Sequence, residues 1–296
     1  MADETEKQAQ AGAEKAPSNN PFAAFCKTLN SHGYGFHYAV LRKAMVMWNG
    51  GQSRWLFEVS EFPVEARGQG TRIDFVLHYN NTDLYLVAEC KRANRALVNW
   101  CFAKAPFVQR DKPSDIIAQK IVTSGGGQRR AKIATHYPLP GYVIYHVALE
   151  FRSQEPGDQH GSGRGTIEEA ATQVCRGLNG LVNFWAENSA RDAIFLPVIF
   201  TTARLYTTEI DLSRADLATG TFDPSKGQIK KADWLLYQYH QSPGLRHSLS
   251  SVDKIDENRL LGDYLWNESA RTIAVVGPTG IEDFLTRLNW WEILKD

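Results

Sequence analysis

The sequence predicts an α/β fold: a mixed central sheet flanked by helices, with a large insertion and a helical C-terminal extension. Three observations lead there. An amphipathic helical segment is followed by three strand-like runs separated by short turns. A long helical pattern over 166–187 precedes the run AIFLPVIFT at 193–201, an apolar stretch of the kind buried on both faces of a sheet. The composition is 43% hydrophobic with 8 Trp, 11 Tyr and 14 Phe, which supports a sizeable core and excludes global disorder.

Residues 1–20 are polar and rich in Ala, Glu, Gln and Lys, so they read as a disordered tail. The core is expected over 21–210. A short helix at 22–30 is broken by Gly33-Tyr34-Gly35. A second helix follows over 36–48, with Phe36, Val40, Leu41, Ala44 and Met47 at helical spacing. Strands are expected at 54–65, 71–79 and 84–91, with a turn at 66–70 and a four-residue hairpin loop at 80–83. The insertion, 92–140, reads as helical near 93–104 and 114–122, with a GGGQRR loop at 125–130. A strand is expected at 141–151. Thr166 with Glu169 forms a capping box for the long helix. After strands at 193–201 and 204–210, the extension at 211–296 is expected to pack on the core. It holds helices near 253–267 and 280–289 and a short strand at 272–276.

Several classes are set aside. Lys plus Arg and Asp plus Glu are both 33, so the chain is not polybasic. No apolar run approaches the 18 residues of a membrane-spanning helix, so no membrane partner is expected. The first residues are acidic from position 3 and lack the apolar stretch of a secretory signal. The four cysteines, Cys26, Cys90, Cys101 and Cys175, form no CxxC pair. These features lead to the expectation of reduced thiols in a cytoplasmic protein.

The chemically informative residues are Asp74, Glu89, Cys90 and Lys91. A loop over 80–83 makes Asp74 and Glu89 cross-strand partners, and Lys91 shares the face of Glu89. Facing carboxylates repel. A lysine offsets this in part, and a hard divalent cation, which favours carboxylate oxygens, offsets it further. Such an ion beside a lysine is a device for hydrolysing a phosphodiester.

Asp74-x14-Glu89-Cys90-Lys91, at the ends of apolar strands after an N-terminal helix, resembles the PD-(D/E)xK nuclease superfamily. The resemblance implies a restriction-endonuclease-like core and metal-dependent cleavage of DNA, as in restriction or phage defence. It implies that Asp74, Glu89 and the Cys90 carbonyl hold Mg²⁺ (or Mn²⁺) and that Lys91 assists hydrolysis. Gln173, on the helix after the ExK strand, is the candidate for a further active-site residue. The chain departs from the pattern where many members carry a helix glutamate, because residues 22–57 contain no acid. Either His37 or a strand acid such as Glu58 is the candidate replacement, or the site holds one metal only. Ile73 stands where the motif has Pro.

The stretch from Lys91 to Lys132 has ten Lys or Arg against Asp111 and Asp115. Phosphate contacts need such a concentration of cations, so Arg92, Arg95, Arg129, Arg130 and Lys132 are the candidate DNA contacts. Trp100, Phe102 and Phe107 are interleaved as candidate base-stacking rings. Two readings stay open: a nuclease, and a nuclease-like domain that binds nucleic acid or a partner protein without cutting. Duplex cleavage needs two sites, which a homodimer or a protein partner in a defence complex supplies.

Overall fold

The structure is a computed structural model that describes residues 20–66, 68–94, 97–106, 115–124, 129–139, 141–152, 166–223, 225, 227–242, 245 and 269–287. In chain order the elements are α1 (Pro21–Ser31), α2 (Tyr34–Asn49), β1 (Trp55–Ala66), β2 (Gln69–Tyr79), β3 (Leu84–Lys91) and β4 (Asn99–Ala103). They continue with β5 (Asp115–Ser124), β6 (Arg129–Pro138), β7 (Ile144–Tyr145), β8 (Val147–Phe151), α3 (Thr166–Asn188), β9 (Ala193–Thr201) and β10 (Arg204–Thr208). The last elements among the described residues are β11 (Ile229–Ala232), β12 (Trp234–His240), β13 (Ala270–Val276) and α4 (Ile281–Arg287).

The architecture is α/β with a mixed sheet flanked by helices. The main sheet runs β1-β2-β3-β9-β13-β12-β7, and the β5–β6 hairpin joins it beside β9. β9 is the axis: every residue of it is buried, as its unbroken apolar sequence requires. It pairs in parallel with β3 along its length and with β13 over its second half. β5 lies antiparallel to its first half. A second sheet runs β11-β10-β4-β8.

Alternation along the strands creates two cores. Val40, Leu41, Ala44 and Met47 of α2 pack on Phe75, Leu77, Leu86 and Ala88 of one sheet face, joined by Phe284 of α4. On the other face, α3 sets Leu178, Leu181 and Val182 against Ile73, Val76, Tyr85 and Val87. Its first half, with Ile167, Ala170 and Val174, meets Trp100, Phe102 and Leu205 of the second sheet. The approach of α3 to β1 is close. A Cβ added at Gly180 would lie 2.7 Å from Val64 Cγ2, so only glycine fits there.

Five expectations are corrected. The helices at 93–104 and 114–122 are strands β4 and β5. Ile116, Ile117, Ala118 and Ile121 are buried on both faces, and β-branched residues covered on both sides suit a strand. The single strand at 141–151 is two, β7 in the main sheet and β8 in the second, split at His146. The sheet does not end near 210. β12 and β13 from the C-terminal part complete it: β13 pairs with β9 and β12 with β13, so these strands extend the sheet rather than cover it. The first turn of α3 is held by Glu150 of β8 rather than by a Thr166–Glu169 box. Its Oε1 accepts from Ile167 N–H at 2.7 Å and from Thr166 Oγ1 at 2.8 Å. The turn between β1 and β2 is also tighter than expected, with Ala66 paired to Gln69. The tail at 1–19 and the helix at 253–267 lie outside the described residues.

His146 sits at the crossing between the two sheets. Its N–H donates to Ala103 O at 2.9 Å, and Nδ1 accepts from Ala105 N–H at 3.4 Å. Burial, with His240 and Lys104 nearby, pushes its pKa down to about 4. The unfolded chain therefore takes up this proton near pH 6.5, before the folded one does. The stabilisation is fully present above pH 6.5 and is lost as pH falls towards 4. The melting temperature of His146→Gln should fall less steeply than that of the wild type across this window. Parallel pH profiles would show that His146 does not link folding to pH.

Candidate metal centre

At the end of β2 the backbone ladder with β3 stops at the pair Phe75–Ala88. The next position holds the sequence-predicted acids. Asp74 and Glu89 are in register as expected, but they do not form a backbone pair. Instead the Asp74 side chain enters the ladder's place: Oδ2 accepts the Cys90 N–H at 2.6 Å. This bond turns the carboxylate along the sheet edge and leaves Oδ1 facing α2.

On that side lies His37, buried at 3% exposure on the first turn of α2. Its Nδ1 is 4.0 Å from Asp74 Oδ1 and 3.3 Å from Glu61 Oε1. Glu61 is a residue the sequence reading missed. β1 and β2 pair Ser60 with Phe75 and Phe62 with Ile73, which sets Glu61 opposite Asp74. Its φ is 52°, left-handed backbone for a non-glycine residue inside a strand. Such strain persists where surrounding structure enforces it and clusters at functional sites. Arg72 Nη1 lies 3.6 Å from Glu61 Oε2. His37, Glu61 and Asp74 each offer one ligand atom, and the three lie within 4.8 Å of one another.

Glu89 and Lys91 point to the α3 side. Lys91 Nζ donates to Gln173 Oε1 at 3.2 Å and pairs with Glu169 Oε1 at 2.9 Å. Glu169, expected in a helix cap, is instead the lysine's carboxylate partner. His37, Glu61, Asp74, Glu89, Lys91 and Gln173 line one cleft of about 320 Å³, together with Ser31, Gly33, Tyr34 and Arg92. The Cys90 side chain packs towards the α2 core. Burial beside Asp74 and Glu89 raises its thiol pKa well above the ordinary range, so it takes no part as a thiolate. Glu58, the other candidate for the missing helix acid, stands at a bulge in β1. It is 3.0 Å from His78 Nδ1, away from the cleft.

The electrostatics suit a cation. Burial pushes Glu89 up to about 8, with Asp74 repelling it and Lys91 opposing the rise. Burial likewise raises Asp74, against the lowering effects of the Cys90 N–H and of His37. Two carboxylates held against their preference for charge, beside a third at Glu61, are the environment a divalent ion relieves. The buried Nε2 of His37 has no partner. One imidazole among carboxylates favours Mn²⁺ over Mg²⁺, while both accept oxygen ligands. The fit is to His37, Glu61 and Asp74, with Glu89 lining the same cleft. The side-chain cluster is thus His37, Glu61 and Asp74, while Glu89, which Asp74 repels, and Cys90 line the same cleft.

The basic stretch is dispersed. Arg92 reaches the cleft rim, with Cδ 3.9 Å from where a Gly33 Cβ would be. Lys132 Nζ is committed to Asn183 Oδ1 of α3 at 2.6 Å. Arg129 and Arg130 begin β6, paired with Ser124 and Thr123 at the far end of β5. β5 runs antiparallel to β9 with Ile121 opposite Ala193, whereas Lys91 stands opposite Thr201. Eight strand residues at about 3.3 Å each separate the level of Ile121 from that of Lys91 by about 26 Å, and the Arg129–Arg130 end lies beyond Ile121. Arg95, Phe107 and the GGGQ segment lie outside the described residues. Trp100 and Phe102 are fully buried, so neither ring is available to stack on a base. A larger groove of about 870 Å³ beside Arg72, Gly180 and Phe184 gathers no metal-ligating cluster among the described residues. No helix among them is long and apolar enough to cross a membrane.

Comparison with protein-family models, with curated proteins and with solved structures finds no match for this chain.

A raised carboxylate binds its proton more tightly in the folded protein than in the unfolded one. Glu89 therefore withdraws stability as pH climbs from about 4.5 to about 8. In EDTA, the melting temperature of the wild type should drop across that range more than that of Glu89→Gln. Mn²⁺ should raise the wild type at pH 8 and raise Glu89→Gln less. Equal slopes in EDTA with no response to Mn²⁺ would remove the electrostatic argument for a cation.

Proposed function

We propose that the chain is a metal-dependent nuclease that hydrolyses phosphodiester bonds of DNA. The observation that carries this reading is the convergence in one cleft of His37, Glu61, Asp74 and Glu89 with a lysine held by Gln173 and Glu169. A surface salt-bridge cluster needs neither the buried histidine nor the strained backbone at Glu61.

His37, Glu61 and Asp74 would hold the ion, and Glu89 faces the same space. A bound Mn²⁺ or Mg²⁺ supplies Lewis-acid polarisation of a phosphate oxygen and acidification of a water. The remaining work belongs to the chain. The Cys90 N–H fixes one oxygen of Asp74, so the other is presented without rotamer freedom. His37 and Arg72 each face one oxygen of Glu61, which orients its carboxylate. Gln173 and Glu169 anchor the Lys91 ammonium at the cleft wall, where its charge opposes the negative charge that develops on a phosphate. Arg92 at the rim is placed to meet a neighbouring phosphate.

The test is cleavage of plasmid, linear duplex and single-stranded DNA with Mg²⁺, Mn²⁺ or EDTA. Asp74→Ala and Glu61→Gln should abolish cutting. Lys91→Ala should lower the rate by roughly 10²-fold or more, the scale of losing one stabilising donor. Lys91→Arg should also fail, since a planar guanidinium cannot replace an ammonium between two acceptors. Undiminished cutting by Asp74→Ala, or in EDTA, contradicts the proposal.

A further inference from the structure

The helical hairpin α1–α2 carries a surface left open among the described residues. No residue of α1 is buried, although it contains Phe22 and Phe25. These rings are 70% and 59% exposed, and Tyr34 and Tyr38 follow at 41% and 51%. Exposed aromatics on one short hairpin need an occupant.

The charge on this hairpin indicates which kind. The whole chain has 33 acids in 296 residues, which would place about four in a stretch of this size. Residues 20–57 have none, and they contain Lys27, Arg42, Lys43 and Arg54. Lys43 is occupied by Glu282 at 2.8 Å, whereas Arg42 is exposed on the outer face of α2. There Gly35, Tyr38, Ala39, Arg42 and Val46 line a shallow groove. Lys27 is exposed on α1. A second copy of this surface would meet cations with cations. A polyanion with flat apolar faces is complementary to it.

Position narrows the choice further. The turn joining the helices is also the wall of the cleft: Ser31, His32, Gly33 and Tyr34 line it together with Asp74 and Glu89. Gly33 makes the turn with φ of 81°, which delivers Tyr34 to the rim. Arg92 stands beside it. A strand lying along α1 and α2 therefore runs into the candidate metal centre. Rings open to solvent can stack only on bases that are not already stacked in a duplex.

We infer that the α1–α2 hairpin is a binding surface for single-stranded nucleic acid that feeds unpaired nucleotides into the cleft. Tyr34, Phe25 and Phe22 stack on bases, and Lys27, Arg42 and Arg92 meet phosphates. This rests on the nuclease reading for the fate of the strand, but not for its binding.

The experiment separates the two. Binding of a fluorescent oligothymidylate to the full chain is measured by anisotropy in EDTA, where no cutting occurs, alongside a duplex of equal length. The wild type should bind the single strand more tightly than the duplex. Phe25→Ala and Tyr34→Ala should each weaken it by about tenfold, as the loss of one stacked base does. Lys27→Glu with Arg42→Glu should weaken binding and flatten its salt dependence, because phosphate contacts set that slope. Both sets alter exposed side chains, and circular dichroism checks their folding. Single-strand affinity unchanged in both sets overturns the inference even if the wild type cuts DNA. Tighter binding to anionic vesicles than to the oligonucleotide overturns it too, as does a dimer that these variants dissociate without affecting the oligonucleotide. Affinity lost as expected, with no cutting under any metal, upholds the surface and rejects the nuclease.

Discussion

The Cys90 N–H donates to the Asp74 carboxylate at 2.6 Å, and the shape of the cleft depends on that bond. In a regular antiparallel ladder this donor would meet a backbone carbonyl of β2. Here the ladder has ended one pair earlier, at Phe75–Ala88. A buried N–H left without a partner is costly, so the side chain of Asp74 takes the role. Once it does, one carboxylate oxygen is fixed and the other faces His37 and Glu61. Alternation along β3 carries Glu89 and Lys91 to the α3 face with Tyr85 and Val87, where Gln173 and Glu169 receive the lysine. One strand end thus serves two helices.

The core makes this arrangement stiff. β9 is buried throughout, and β3 is bound to it from Leu84 to Lys91 without a break. The ExK segment therefore cannot shift along the sheet without breaking that ladder. α2 presents His37 one turn before Val40 and Leu41, which are buried against the sheet. α3 is pressed against β1 at Gly180. The site itself carries costs: raised carboxylate pKa values, a left-handed Glu61 and an unpartnered His37 Nε2. Backbone strain of the Glu61 kind persists only where the surrounding structure enforces it.

Much of this was legible from the residues. The strands 84–91 and 193–201 and the helix from 166 read directly, because alternation, an unbroken apolar run and helical spacing are strong signals. Asp74, Glu89 and Lys91 were found by register and Gln173 through the family resemblance, and all line the cleft. Glu61 was hidden by one residue of register. Placing the first turn at 66–70 sets Glu61 opposite Phe75; the real turn, tightened by Gly68 at φ of 69°, sets it opposite Asp74. The insertion misled more seriously. Its apolar residues fit either period, and only pairing with β9 decides for strands. The same folding buries Trp100 and Phe102 and carries Arg129 and Arg130 away from the cleft. Charge counted along the chain located cations but not the face they occupy.

The central claim is that this cleft is a divalent-cation site built on Asp74 and Glu61. Isothermal titration of Mn²⁺ into the metal-free protein at pH 7.5 tests it without reference to any substrate. The account predicts saturable binding that is lost in Asp74→Asn and in Glu61→Gln and is retained in Lys91→Ala. Mn²⁺ binding that persists unchanged in both acid variants, or its absence from the folded wild type, would contradict it.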